Sequence, residues 1–290
     1  MKKRDAKTAA LFLFPAFACL FLFNFLPILR NIILSFTSWN MVVGNPKFIG
    51  LDNYTELFTS RDFWNSVAVT VKYTVMFVPV TIILGFLLAV LLVKKSAVNI
   101  IYRTIFFSPY VTSMVAMSAV FLFIYHPQYG TLNTILKSLN LPTFQWLNTR
   151  ETALPSLVAM NCWKTVGFCA VVYLGALLNV SDELKEAAEI DGANRLQRLW
   201  WVEAPLVSPT TFMLVITVTI EAFKVFTQID VMTGGGPDSS TTNMLTLMFQ
   251  QAFEQFRVGY GGAIAVVMLL TVLVINGIQM AFEKYVNYDM

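Results

Sequence analysis

Charged side chains are scarce in this sequence. They make up 13% of its 290 residues, whereas 57% are hydrophobic. A soluble domain carries roughly 25% charged residues, so this chain cannot cover itself with a polar surface in water. The composition predicts a membrane protein that crosses the bilayer several times. The net charge of +3 is small and says little by itself, and we predict no nucleic-acid partner.

Histidine and cysteine are also rare. The sole histidine, His126, lies near the outer end of a predicted span, and Cys19, Cys162 and Cys169 all fall within apolar runs. This spacing forms neither a metal site nor a disulfide framework. The sequence also lacks the G-x-x-x-x-G-K-[ST] phosphate loop, so the chain is expected to bind no nucleotide alone. We predict no catalytic residue, no metal site and no cofactor on this chain.

Long apolar runs, by contrast, are abundant. The runs long enough to cross ~30 Å of hydrocarbon are residues 9–34, 67–93, 104–125, 154–179, 210–232 and 259–282. Basic residues precede the first run, as they do in a secretory signal peptide. That run is too long for a signal peptide and no small-residue cleavage site is evident, so we predict an uncleaved anchor. The sequence therefore predicts one all-α membrane domain over residues 1–290 with about six spans.

The basic residues of the loops predict the orientation. One set of loops holds Lys2, Lys3, Arg4 and Lys7, the segment from Lys94 to Arg103, then Lys185, Arg195 and Arg198, and finally Lys284. The opposite loops are longer, poorer in basic residues and richer in glycine and proline. Because basic residues concentrate on the cytoplasmic side, both termini and the loop between the fourth and fifth spans are predicted to be cytoplasmic.

That loop, residues 181–209, is the longest charge-rich segment, and we call it the charged loop. Ser181 can cap a short helix, along which Leu184, Ala187 and Ala188 share one face. Gly192 stands where such a helix would end in a left-handed residue. A second short helix would follow it along the membrane. The residues alone leave two readings open, an amphipathic hairpin that connects two spans and a docking element for a soluble partner.

Three motifs resemble one family of transport proteins. The run Glu186-Ala187-Ala188-Glu189-Ile190-Asp191-Gly192-Ala193, followed by Pro205 and Pro209, resembles the EAA loop of permease subunits in binding-protein-dependent ABC importers. The run Met232-Thr233-Gly234-Gly235-Gly236-Pro237 is similar to the MTGGGP of carbohydrate-type permeases. The run Phe48-Ile49-Gly50-Leu51-Asp52-Asn53-Tyr54 is similar to the FxGLxNY of the same group. The resemblance covers nearly the whole chain and points to the compact six-span form of the maltose system's larger permease.

The resemblance implies a fold, a location and a set of partners. The fold would be that of a type I ABC importer permease in a bacterial or archaeal inner membrane. The partners would be a second homologous permease, a cytoplasmic ATPase dimer that binds ATP and Mg, an extracytoplasmic solute-binding protein, a sugar substrate and membrane lipid. The charged loop would couple to the ATPase through Glu186, Ala187, Ala188, Asp191, Gly192, Ala193 and Pro205. The Gly234–Pro237 turn would be either a plain surface turn or part of the surface for the binding protein.

Polar residues inside the predicted spans also need a reason, because a charge at mid-bilayer costs ~2.5–3.5 kcal/mol. Glu221 and Lys224 are spaced to pair on one helix face. One reading is that these groups are structural. The other reading is a polar path for substrate lined by Trp163, Lys164, Glu221, Phe223, Lys224 and Gln228. Two further functions remain open, a secondary transporter that uses Lys164, Glu221 and Lys224 for ion coupling, and a membrane scaffold without a path.

Overall fold

The computed structural model describes residues 3–40, 45–94 and 96–286, with side chains over residues 12–40, 45–94 and 96–282. The helices are α1 (Lys3–Leu20), α2 (Leu26–Leu34), α3 (Asp52–Thr59), α4 (Arg61–Leu92), α5 (Ala97–Val111), α6 (Met114–Ile124), α7 (Thr131–Ser138), α8 (Ala153–Asn179), α9 (Asp182–Ile190), α10 (Arg195–Arg198), α11 (Ala204–Leu206), α12 (Ser208–Phe223), α13 (Thr227–Met232), α14 (Met244–Phe249) and α15 (Val258–Val286). Single π-helical turns follow α1, α10 and α14. Within the described residues the β-structure is one isolated bridge between Thr37 and Phe48.

The predicted all-α membrane fold is confirmed. Over the described residues, four helices are long and apolar enough to cross a membrane, or up to six if each of two bent helix pairs counts as one span. The side chains of Lys2, Lys3, Arg4, Lys7 and Lys284, which helped to predict the orientation, lie outside the described ones.

The structure corrects two of the predicted spans. The third was predicted as one run over 104–125, but the helix begins at Ala97, stops at Val111 and resumes at Met114 after a bend of 99°. The fifth was predicted over 210–232, but α12 ends at Phe223 and α13 starts only at Thr227. Hydropathy alone does not report such breaks, because the residues in them are themselves mostly apolar or small.

The chain divides into two compact units, and the first comprises residues 1–64 and 247–270. Asn53 anchors it, since its side-chain amide donates to the carbonyls of Ser35 and Thr37 at 2.8 and 2.9 Å. The hydroxyls of Tyr54 and Ser35 lie 2.6 Å apart, and Arg257 pairs with Glu56. The asparagine and tyrosine of the FxGLxNY motif therefore fasten the end of α2.

The second unit comprises residues 65–246 and 271–290, and α8 runs through its core. Two glycines let neighbouring helices approach closely, as membrane helices commonly do. A Cβ built on Gly167 would lie 1.8 Å from the carbonyl oxygen of Phe106 on α5. A Cβ built on Gly85 of α4 would lie 2.5 Å from the Cβ of Cys169. The contacts of α8 with α4 and α5 thus depend on residues without a side chain.

Candidate functional site

Lys164 of α8 lies against the break between α5 and α6. Its ammonium group donates to the carbonyl oxygens of Pro109, Tyr110 and Thr112 at 2.9, 2.9 and 2.7 Å. The residue is only 8% exposed. A hydrogen bond to a charged group is worth about 1.5–3 kcal/mol, so three of them offset the cost of placing the charge in the bilayer. Lys164 therefore caps the carbonyl end of a broken helix.

A second break separates α12 from α13, over Lys224, Val225 and Phe226. The carbonyl oxygen of Val225 accepts a hydrogen bond of 2.5 Å from the side-chain amide of Asn243, which is 1% exposed. Lys224 is exposed at the break. An unpaired backbone group in hydrocarbon costs several kcal/mol, so Asn243 supplies a partner that the broken helix lacks.

The two breaks meet at a polar cavity of about 230 Å³. The hydroxyl of Tyr110 beside the first break donates to the carboxylate of Glu221 beside the second, over 3.4 Å. The Tyr110 ring stacks on Phe168 with centroids 4.6 Å apart. The other lining residues are the polar Asn161, Lys164, Thr165, Lys224, Thr227 and Gln228 and the apolar Met114, Val225 and Phe226. Secondary transporters form their substrate sites at discontinuous membrane helices, so a cavity between two broken helices is a candidate site.

The structure places four of the six predicted path residues at the polar cavity and two elsewhere. Lys164, Glu221, Lys224 and Gln228 all line the polar cavity. Trp163 does not line it, because it points from another face of α8, is 50% exposed and packs on Phe121. Phe223 is 3% exposed and belongs to the buried residues rather than to the lining.

The expected ion pair between Glu221 and Lys224 is absent at a 4 Å limit from the part of the chain that the structure describes. The turn that ends α12 at Lys224 removes the continuous helix on which an i, i+3 pair relies. In the described residues, no group of three or more histidine, cysteine, aspartate or glutamate side chains could hold a metal ion.

The charged loop forms the short helix that its pattern predicts. α9 spans Asp182–Ile190, and Gly192 in the turn after it has a φ of +82°, which is the predicted left-handed conformation. The amide of Ala193 closes the turn on the carbonyl of Ala188 at 2.9 Å. Ser181 occupies the N-cap position, but its side chain makes no capping hydrogen bond.

Seven of the nine residues of α9 are exposed. Ala188 is 9% exposed and faces the chain, whereas Leu184 and Ile190 are 45% and 86% exposed. Glu186, Ala187 and Asp191 are exposed as well, and Pro205 lies in α11 on the return to the membrane.

Arg198 joins α9 to the segment that enters the fifth span. Its guanidinium pairs with Glu189 of α9 and with Glu203, whose carboxylate lies 3.0 Å from Nε. Glu203 is 9% exposed and directly precedes α11. A reciprocal capping box between Asn194 and Gln197 starts α10. These contacts link α9 to α10 and α10 to the residue before α11.

Buried threonine hydroxyls hydrogen-bond to the glycine-rich turn, Gly234–Pro237. Gly234 and Gly235 have positive φ angles, and Thr241 and Thr242 donate their hydroxyls to the carbonyls of Gly236 and Gly235. Asn243, which caps the break after α12, follows at once in the chain. The turn thereby fixes the position of Asn243, and its exposed Gly234 forms part of the protein surface.

Sequence reasoning missed several residues of this site. Tyr110, Thr165 and Asn243 contact the cavity or the breaks, and Arg198 joins the loop helices. Pro109 is a partial sequence signal of the first break, because proline disturbs the helical hydrogen bonds around it. The partner of each polar group is remote in sequence, so no local pattern identifies it.

Comparison with known proteins identifies the family of this chain. Residues 81–288 match the family described as binding-protein-dependent transport system inner membrane component. The probable ABC transporter permease protein YurN of Bacillus subtilis (strain 168) is 35% identical, over 94% of this chain and 95% of that protein. The trehalose/maltose transport system permease protein MalF of Thermococcus litoralis is 31% identical, over 95% of this chain and 92% of that protein.

A solved structure shares the fold. It is a chain from the crystal structure of a bacterial ABC transporter involved in the import of the acidic polysaccharide alginate. The TM-score is 0.86 at 23% identity, over 99% of this chain and 98% of that one.

Proposed function

We propose a function from one premise, which is that the chain belongs to the family of binding-protein-dependent transport system inner membrane components. It is an ABC transporter permease subunit that crosses the membrane several times. The proposal is that this subunit forms half of a sugar path, and that a second, homologous permease forms the other half. An ATPase dimer on the cytoplasmic side would hydrolyse ATP with Mg, and a solute-binding protein would deliver the sugar.

The polar cavity at the two broken helices carries the transport proposal. It offers amide, hydroxyl and carboxylate groups, which suit the hydroxyls of a sugar, beside a tyrosine ring that suits its apolar face. Relatives named for trehalose and maltose and for starch degradation products support a carbohydrate substrate. Ion coupling through Lys164 is not favoured, because carbonyls already occupy its ammonium group.

The charged loop supports the coupling proposal. Exposed Ile190 and Leu184 give α9 an apolar contact for a cleft on the ATPase. The Arg198 pairs with Glu189 and Glu203 would carry a rigid-body movement of α9 into α11 and the fifth span. Both termini and the charged loop would then lie in the cytoplasm, as the basic residues predict.

Reversing the charge of Glu186 should uncouple transport. We expect Glu186→Lys to lower ATP-driven uptake at least tenfold in proteoliposomes that contain the assembled complex, because the exposed carboxylate would meet the ATPase. Gly192→Trp should act in the same direction, since φ of +82° strains any residue with a Cβ. The measurement is uptake together with co-purification of the ATPase. Glu254→Lys, the same reversal at another exposed glutamate, is the control. Normal uptake by either loop variant would contradict the coupling role.

A change in the cavity should act on transport without loosening the complex. Gln228 lines the cavity and is 2% exposed. We expect Gln228→Ala to lower the maximal rate of sugar uptake about fivefold, which corresponds to one lost hydrogen bond of about 1 kcal/mol. The ATPase and the second permease should still co-purify. Gln128→Ala changes an exposed glutamine elsewhere and should leave uptake intact. Unchanged uptake in Gln228→Ala would argue against this cavity as the path.

A further inference from the structure

An apolar groove of about 710 Å³ runs along α4, α5 and α8, apart from the polar cavity. Val80, Leu84, Leu87 and Leu91 form its α4 side and recur at helical spacing on one face. All of the side chains named for its lining are apolar or aromatic, and Leu91 is 72% exposed. The groove is therefore open and unfilled by the chain itself.

A second pocket of about 340 Å³ adjoins this groove, because Leu91 lines both. Its apolar wall includes Val90, Val93, Leu177 and Leu199, and its charged residues are Lys185, Arg195, Arg198 and Glu203. We call it the basic pocket. It lies where the charged loop meets the ends of α4 and α8.

The charges of the basic pocket are not all neutralised. Arg198 is held by Glu189 and Glu203. The side chain of Lys185 is 22% exposed, but that of its partner Asp182 is 88% exposed, so this pair is weak. Arg195 makes no ion pair within 4 Å among the described residues. Two cations thus remain to bind an anion at the end of an apolar groove.

The groove extends along two helices. On α4 its lining runs from Val80 to Leu91, a rise of about 16 Å at roughly 1.5 Å per residue, and on α8 it runs from Pro155 to Gly167, about 18 Å. The hydrocarbon core is about 30 Å thick, so the α4 side, which ends at the basic pocket, has about the length of one leaflet.

We propose that the apolar groove and the basic pocket together bind a phospholipid with an anionic head group. One acyl chain lies along Leu84, Leu87 and Leu91, and the phosphate is bound by Lys185 and Arg195. Basic pockets beside apolar helix surfaces on the cytoplasmic side are suited to such head groups. A lipid bound there would touch both the end of α4 and the charged loop.

The test uses the complete transporter, purified in detergent with its partner subunits. Lipids are extracted and quantified by mass spectrometry. We expect anionic phospholipid to be enriched over its share of the source membrane. The double variant Lys185→Gln/Arg195→Gln should reduce that enrichment roughly tenfold, whereas Lys137→Gln, an exposed lysine on α7, should not. An unchanged enrichment in the double variant would overturn the proposal.

A variant outside the charged loop separates lipid binding from any effect on ATPase docking. Leu87→Trp would fill the groove and should also reduce the retained anionic phospholipid. The wild-type complex should be more heat-stable in vesicles of phosphatidylcholine mixed with phosphatidylglycerol than in phosphatidylcholine alone, and Leu87→Trp should lose this difference. If Leu87→Trp instead released the second permease with no change in lipid, a protein helix would be the occupant and the proposal would be wrong.

Discussion

Gly167→Ala is expected to prevent stable assembly of this permease. The new Cβ would lie 1.8 Å from the carbonyl oxygen of Phe106 and 2.5 Å from its carbonyl carbon. Both are backbone atoms, so α5 must move as a unit and the helices must separate. Overpacking typically costs about 1–3 kcal/mol, and a clash with backbone belongs at or above the upper end. The measurement is the yield and thermal unfolding midpoint of the purified subunit or complex.

Gly175→Ala on the same helix provides the matched control. A Cβ there meets nothing within 4 Å. Replacing an exposed helical glycine by alanine removes backbone freedom and should stabilise α8 slightly, by up to about 1 kcal/mol. The two variants should therefore change stability in opposite directions. Equal behaviour would mean that α5 and α8 do not approach each other at Gly167.

Lys164→Met is expected to cause the second large loss. It keeps much of the side-chain length but leaves the carbonyls of Pro109, Tyr110 and Thr112 without the ammonium donor. The carbonyl of Pro109 still accepts from the amide and the hydroxyl of Thr112, so two carbonyls lose a partner. An unsatisfied buried group costs about 1–3 kcal/mol, so the break should be destabilised by about 2 kcal/mol or more. We expect uptake to fall at least tenfold, because the broken helix shapes the polar cavity.

Two further variants identify the cause of that loss. Lys72→Met removes an exposed lysine of another span and should have little effect. Lys164→Gln keeps two N–H donors and should retain more uptake than methionine does. If glutamine and methionine were equally inactive while the complex stayed fully stable, the positive charge itself would matter, and capping would not explain Lys164.

The sequence predicted the elements better than it predicted their breaks. Gly192 was placed correctly because only a left-handed turn explains a glycine at the end of a charged, alanine-rich helix. The break at Thr112 and Ser113 has no glycine, and the break at Val225 has neither glycine nor proline. These breaks depend on Lys164 and Asn243, which are remote in the chain.

The predicted path residues show a second limit of prediction from sequence. Trp163 and Lys164 are neighbours in sequence, but successive residues on a helix point about 100° apart. One therefore packs beside Phe121 and the other enters the polar cavity. Composition selects candidate residues of a buried path, whereas the helix phase that decides between them requires the packed structure.

The first compact unit has a consequence for biogenesis. It joins residues 1–64 to residues 247–270, so its parts emerge from the ribosome far apart in time. Asn31 hydrogen-bonds to Gly262, and Glu56 pairs with Arg257 across 201 positions of sequence. No residue of the first span, Phe12–Leu34, is buried. This helix can insert into lipid as soon as it is synthesised. The segment after it can form its contacts with residues 247–270 only once the start of α15 has been synthesised. Synthesis of the last span is thus the step that completes the amino-terminal part of the protein.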